Sequence, residues 1–150
     1  MKDRTVNLMK LEFDARSVNE SFARTAVAAF AAQCDPGIGV ISDIKTVVSE
    51  AVTNSIVHGY AGIEDKSKCP IYIVCKLNEN GVINIKIKDK GRGIEDLETA
   101  MQPLYTTDEG GERSGMGFTI MESFMSWFEV TSEVGKGTTV HMRRKLQRRK

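Results

Sequence analysis

The sequence predicts a two-layer α/β sandwich, a mixed and mainly antiparallel sheet with helices packed over one face. Segments of alternating hydrophobicity and of helical periodicity follow one another in the order β-α-α-β-β-α-α-β-β. A tight hairpin signal, Asn78-Glu79-Asn80-Gly81, joins two of the strands and makes them antiparallel neighbours. Ile83, Ile85 and Ile87 alternate with Asn84, Lys86 and Lys88, which buries one sheet face and leaves the other partly solvated.

Val6 to Asp14 reads as the first strand, with Met9, Leu11 and Phe13 alternating against Lys10 and Glu12. Ser17-Val18-Asn19-Glu20 matches a capping box, Ser17 as N-cap and Glu20 reaching back. The helix it opens runs to about Gln33, with Phe22, Ala26, Ala29 and Phe30 inward and Asn19, Arg24 and Thr25 towards solvent. Asp35-Pro36-Gly37-Ile38-Gly39 is a turn. A second helix starts near Ser42, because Ile44, Val47, Val48, Ala51, Val52 and Ile56 recur at helical spacing, and Gly59 suits its C′ position.

Within that helix Glu50, Asn54 and His58 stand at i, i+4 and i+8. They form a row that drifts about 40° per step along the shoulder of the apolar stripe, while Lys45, Ser49 and Thr53 take the outer face. A carboxylate, an amide and an imidazole lined up at the core boundary suit a cleft better than bulk water.

Tyr60 to Pro70 is a polar loop, and Ile71 to Leu77 and Val82 to Lys88 are the hairpin strands. A short helical stretch runs from about Asp96 to Met101, and Gln102 to Gly117 is a long polar segment with two glycine clusters. Phe118 to Ser126 reads as a helix, Trp127 to Glu133 as a strand, and Thr138 to Arg143 as the last strand after the turn Val134-Gly135-Lys136-Gly137. The basic end, 143–150, reads as a solvated and frayed terminus.

A chain of 150 residues fits one domain, 1–150, with a real core. Lys and Arg number 21 against 20 Asp and Glu, a balance that gives no general case for binding DNA or a membrane surface. Cys34, Cys69 and Cys75 lack metal-ligand or CxxC spacing, and their odd count without a signal peptide points to reduced thiols in a cytoplasm. No apolar run approaches a membrane span, and two histidines are too few for a histidine-based metal site.

Two further blocks carry chemistry. Asp89-x-Gly91-x-Gly93 follows a strand directly. An aspartate there can accept from an exocyclic amine, and the glycines let backbone pass close to a planar base. Gly115-x-Gly117 opens a helix, whose N-terminal amides and dipole attract phosphates. Each block alone also makes an ordinary turn or helix entry. No GxxxxGK[ST] occurs, so any phosphate cradle is not of the Walker type.

Together, Glu50-x₃-Asn54, Asp89-x-Gly91-x-Gly93 and Gly115-x-Gly117 resemble, in order and spacing, the nucleotide-binding boxes of the GHKL ATPase/kinase superfamily. Histidine kinases usually place histidine where Glu50 stands. The runs Ser49 to Tyr60, Pro103 to Thr107 and Glu112 to Glu122 instead resemble the superfamily's anti-sigma serine-kinase branch. With Ser17-x-Asn19-Glu20-Ser21-Phe22-Ala23-Arg24, the likeness narrows to the sporulation anti-sigma-F family. It covers the chain except the loop 61–69 and the basic tail.

That resemblance implies a Bergerat ATP-binding fold, ATP/ADP and Mg²⁺ as cofactors, and roles for particular residues. Asn54 would hold Mg²⁺, and Glu50 would be the general base for an attacking serine hydroxyl. Asp89 would read the adenine amino group in a pocket shaped by Gly91 and Gly93, with Thr138 and Thr139 backing that contact. Gly110 to Gly117 would cover the triphosphate, with the backbone of Gly115, Met116 and Gly117 on the phosphates and Arg113 on the γ-phosphate. Ser114 and Thr107 would either contact phosphate or cap structure. His58 would be either a phosphate contact or a satisfied boundary histidine. The implied activity is inhibition of a sporulation sigma factor, sigma F, joined to serine phosphorylation of its STAS-type anti-anti-sigma antagonist. The family acts as a homodimer, and the outer face of the first helix, anchored at Arg24, would meet the partners. Two alternatives stay open: the same kinase on a general stress sigma factor, and a nucleotide-gated sigma-binding module without turnover. A detached histidine-kinase catalytic domain fits worst, since no phosphoacceptor-histidine helix is present.

Overall fold

The computed structural model describes residues 4–101 and 117–146. In chain order these form β1 (Thr5–Asp14), α1 (Ser17–Ala32), α2 (Ile38–Asn54), a π-helical turn (Ser55–Gly59), a 3₁₀ turn (Lys66–Lys68), β2 (Pro70–Asn78), β3 (Val82–Asp89), α3 (Leu97–Ala100), α4 (Gly117–Phe124), β4 (Trp127–Glu133) and β5 (Gly137–Lys145). The element order matches the expectation from periodicity. The strands make one sheet in the order β1-β2-β3-β5-β4, and every pairing among the described residues is antiparallel.

One sheet face carries Ile71, Ile73, Cys75, Ile83, Ile85, Ile87, Val140 and Met142, all buried. Against it lie Ile44, Val47, Val48, Ala51 and Val52 of α2, Ala23, Val27 and Ala31 of α1, and Met121 of α4. Each fully buried isoleucine contributes about 1.5–3 kcal/mol of transfer free energy. The opposite face shows Lys76, Lys86 and Arg143 to solvent, as the alternation in β3 requires.

Several local expectations need correction. The capping box of α1 does not form: Asn19 N–H donates to the Arg16 carbonyl, the Asn19 amide to the Asp14 carbonyl at 2.9 Å, and Glu20 pairs with Arg24 at 3.3 Å. The buried stripe of α1 is also rotated. Phe22 is 54% exposed and Ala29 is exposed, while the small Ala23, Val27 and Ala31 face inward and let α1 pack closely on α2. Helix α2 begins at Ile38, four residues before Ser42, with Gly37 in the N-cap position.

Its far end differs more. Gly59 does not end α2 in a left-handed conformation; it is the last residue of the π-helical turn. That turn is closed by the Tyr60 N–H donating to the Ser55 carbonyl at 3.0 Å. Tyr60, expected at the start of a polar loop, is buried; its hydroxyl donates to the Pro70 carbonyl and accepts the Lys90 N–H at 2.7 Å. Burial pushes its phenol up to about 12.

The basic end is not frayed at 143–146. Arg143, Arg144 and Lys145 belong to β5, and Leu146 is buried with its N–H on the Gly81 carbonyl at 2.8 Å. Arg144 reaches Asp43 of α2 at 2.7 Å and also donates to the Phe124 carbonyl at the end of α4. Residues 147–150 lie outside the described part.

Candidate functional site

A cavity of about 570 Å³ opens between α2 with its π turn, the end of β3, the loop 90–96, and the start of α4. Its floor is apolar, with Ala51, Ile87 and Val140, and Phe118 lies at one side. Its polar groups are Asn54, Ser55, His58, Asp89 and Thr138, with Arg92, Glu95 and Asp96 also in the lining. Apolar walls with a few convergent polar groups suit a planar heterocycle carrying a charged tail.

Asp89 is the buried carboxyl of this cavity, 3% exposed at the end of β3. Its Oδ1 accepts from Gly91 N–H at 2.9 Å and Thr138 N–H at 3.2 Å; its Oδ2 accepts from the Ser55 hydroxyl at 2.7 Å. Three donors offset the loss of water around a buried carboxylate and fix its rotamer. Oδ1 is fully subscribed, so the remaining acceptor capacity of the group lies on Oδ2.

The glycines of Asp89-x-Gly91-x-Gly93 answer to backbone contacts. A Cβ on Gly91 would stand 2.2 Å from the Gly59 carbonyl oxygen, and one on Gly93, at φ 77°, would stand 2.3 Å from that of Glu133. The loop is thus clamped from both sides: Arg92 N–H donates to the Gly59 carbonyl and Gly135 N–H to the Arg92 carbonyl, each at 2.8 Å. A Cβ on Gly59 itself would meet Asp89 Oδ2 at 3.0 Å, so packing against the carboxylate is the need for glycine there.

At the other end of the cavity, Gly117 opens α4 against Glu50 and Asn54. A Cβ on Gly117 would lie 3.2 Å from Glu50 Oε2 and 3.3 Å from Asn54 Nδ2. Asn54 lines the cavity, and Glu50, one turn earlier, stands beside it at the Gly117 edge. His58 also lines the cavity, although the π turn, with its i→i+5 closure in place of i→i+4, interrupts the i, i+4, i+8 row after Asn54. Asp96 caps α3 through Thr99, whose hydroxyl and amide hold its carboxyl below the usual range.

Thr138 and Thr139 separate. Thr138 lines the cavity, whereas Thr139, paired with Lys88 and Thr131, faces the opposite side of the sheet. Adjacent strand residues cannot share a face, so Thr139 is withdrawn from the site. Thr107, Arg113, Ser114, Gly115 and Met116 lie outside the described residues, as does the segment 110–116 expected over the triphosphate. Arg24 sits on α1 and does not line the cavity.

Sequence reasoning missed three contributors. Ser55 supports Asp89 from a position with no motif of its own. Ser132 accepts the Ile94 N–H at 2.7 Å and bonds the Thr138 hydroxyl at 2.8 Å, tying the glycine loop to β4 and β5. Gly137 passes the Asp89 carbonyl so closely that a Cβ would stand 2.1 Å from its oxygen. The β4–β5 register, which sets Ser132 opposite the cavity-lining Thr138, gives Ser132 its place behind the site.

Residues 11–144 match the model of the histidine kinase-like ATPase domain, a nucleotide-binding domain. The anti-sigma F factor of Geobacillus kaustophilus is 52% identical over 144 residues, 96% of each chain. That of Clostridium beijerinckii is 55% identical over 140 residues, 93% of this chain and 95% of the relative. The chain belongs to the anti-sigma F factor family. Among solved structures, the RsbU and RsbW domains of a Mycobacterium tuberculosis protein superpose with a TM-score of 0.68 at 19% identity, over 96% of this chain and 34% of that one. The mycobacterial sensor histidine kinase MprB gives 0.56 at 14% identity, over 91% of this chain and 97% of that one. These likenesses show the sandwich shared with GHKL-type ATPases. No described helix of this family member is long and apolar enough to cross a membrane.

Proposed function

We propose that this chain is a single-domain, ATP-dependent protein serine kinase that also holds a sporulation sigma factor, sigma F, inactive. Its phosphorylation substrate is the STAS-type anti-anti-sigma protein that competes for it. The observation that carries the reading is one cavity with Asp89 at one end and Asn54, with Glu50 beside it, at the other. The high identity to proteins called anti-sigma F factors favours sigma F over a general stress sigma factor.

In this reading the adenine amine donates to Asp89 while the base lies on the apolar floor, and the phosphates run towards Asn54 and the amide end of α4. The donor set near Asn54 suits Mg²⁺, which takes one or two protein oxygens along with phosphate and water. Among the described residues there is no cluster of His, Cys, Asp or Glu that would form a separate metal cage. Asn54 would hold the ion through its side-chain oxygen, where it neutralises phosphate charge. Glu50 takes the proton from the substrate serine hydroxyl. The serine oxygen bonds to the γ-phosphorus as the bond to the β–γ bridging oxygen breaks, and ADP departs. The new phosphate adds charge to the partner's surface and weakens its hold on the kinase.

The outer face of α1 is the proposed partner surface. Val18 and Phe22 are exposed there, 75% and 54%, an apolar strip that suits protein docking, while Arg24, paired with Glu20, lies on the flank of the helix about 160° round from Phe22. The protein works in the cytoplasm as a homodimer. Titration of purified sigma factor in the presence of Mg-ATP tests the partner assignment. Arg24→Glu, which also places a second acid beside Glu20, is expected to abolish the complex and leave ATP affinity unchanged. Undiminished sigma affinity would sink this assignment.

A further inference from the structure

Ser55 is 5% exposed, belongs to the π turn and lines the cavity, yet it falls in none of the nucleotide-binding motifs. Its hydroxyl donates to Asp89 Oδ2 at 2.7 Å across 34 residues of chain. We propose that Ser55 is a positioning residue for base recognition: it fixes the one free lone pair of Asp89 so that the site selects a 6-amino purine. This rests on the nucleotide reading above and extends it to specificity.

The acceptor sites of Asp89 can be counted. A carboxylate oxygen has two lone pairs in its plane. Oδ1 uses both, on Gly91 N–H and Thr138 N–H. Oδ2 uses one on Ser55, so a single direction remains for an incoming donor. Gly59 stands beside the same oxygen, where a Cβ would come within 3.0 Å, so any larger residue there would press on the carboxylate. The Ser55 hydrogen, committed to Oδ2, is not available to a 6-oxo group. The pair therefore presents an acceptor alone, matched to an exocyclic amine and opposed to a carbonyl.

The backbone supports this placement. In an α-helical continuation the residue after Asn54 would turn at about 100° per residue; the π turn widens the spiral here and closes through Tyr60 N–H on the Ser55 carbonyl. Single π turns recur at functional sites because they re-aim side chains without ending the helix.

The test measures dissociation constants of the full chain for Mg-ATP and for the triphosphate of purine riboside, which lacks the 6-amine. Ser55→Ala and the nearly isosteric Ser55→Cys, a weak donor, are compared with wild type. Both variants are expected to lose roughly tenfold in ATP affinity, the worth of one hydrogen bond to a charged group, and less than about twofold for the amine-free nucleotide. Equal loss for both nucleotides would make Ser55 a packing residue and overturn the proposal, as would unchanged ATP affinity. If Ser55→Cys behaved as wild type while Ser55→Ala did not, side-chain volume rather than the hydroxyl would be responsible, and the proposal would fall. Failure of wild type to bind ATP would defeat the nucleotide reading itself and not the Ser55 assignment alone.

Discussion

Asp89→Asn exchanges one carboxylate oxygen of the cavity for an NH₂ and tests base recognition directly. The oxygen of the introduced amide must stay where Oδ1 now accepts from Gly91 N–H and Thr138 N–H, because an NH₂ there would face two donors. The new NH₂ therefore takes the Oδ2 position beside Ser55, whose hydroxyl can rotate to accept from it. An adenine amine then meets a donor. It loses a hydrogen bond to a charged acceptor and is left unpaired in a buried place, together about 3–5 kcal/mol. At about 1.4 kcal/mol per decade, ATP affinity is expected to fall roughly 100- to 4,000-fold. A 6-oxo purine such as inosine should fare better, since the NH₂ can donate to its carbonyl. Calorimetric titration with ATP and inosine triphosphate reads both, with thermal unfolding as a control for the fold. An unchanged ratio of the two affinities would refute the assignment of Asp89 as the base reader.

Gly91→Ala forces a methyl to within 2.2 Å of the Gly59 carbonyl and is expected to cost about 1–3 kcal/mol of overpacking in urea unfolding, with a loss of nucleotide affinity as the loop shifts. Arg144→Ala removes the 2.7 Å pair with Asp43 and the cap on Phe124, side chains only 22% and 31% exposed in the pair. Its cost should fall between those of surface and buried pairs, about 2–3 kcal/mol of stability by chemical denaturation. His141 is held below its ordinary 6.5 by burial, with Lys86 and Arg143 adding to the effect. The unfolded chain then binds more protons than the native one as pH falls below 6.5, so stability is full above that value and is lost through the lower native value. His141→Gln should flatten that part of the stability–pH curve measured by thermal unfolding.

Much of this architecture is legible in the sequence because it depends on local periodicity. The strict alternation of Ile83, Ile85 and Ile87 identifies a one-sided strand, and the Asn78–Gly81 turn fixes its neighbour. Glu50, Asn54 and Asp89 stand out because their types and spacing imply a cleft, and the cavity joins Asn54 to Asp89 with Glu50 at its edge. What periodicity does not supply is anything decided by tertiary partners. Phe22 faces outward because α1 packs on α2 through small residues, a choice that hydrophobicity alone reverses. Thr138 and Thr139 look equivalent in sequence although a strand turns them to opposite faces; the β5 register decides which one reaches Asp89. The basic end, 143–150, looks solvated because nothing local reveals that its Arg144 meets Asp43 across 101 residues. Ser55 and the π turn are invisible for the same reason, since an α-helical template carries no signal for one extra residue in a turn.

Phosphoryl transfer to a protein serine, with Glu50 as base, is open to one direct measurement. Labelled Mg-ATP, the STAS-type partner, and either wild type or Glu50→Gln would be incubated together and the label on the partner counted. Transfer by wild type is expected to collapse in Glu50→Gln, with ATP affinity retained. ATP binding without transfer by either protein would contradict the kinase and leave a nucleotide-gated sigma-binding module in its place.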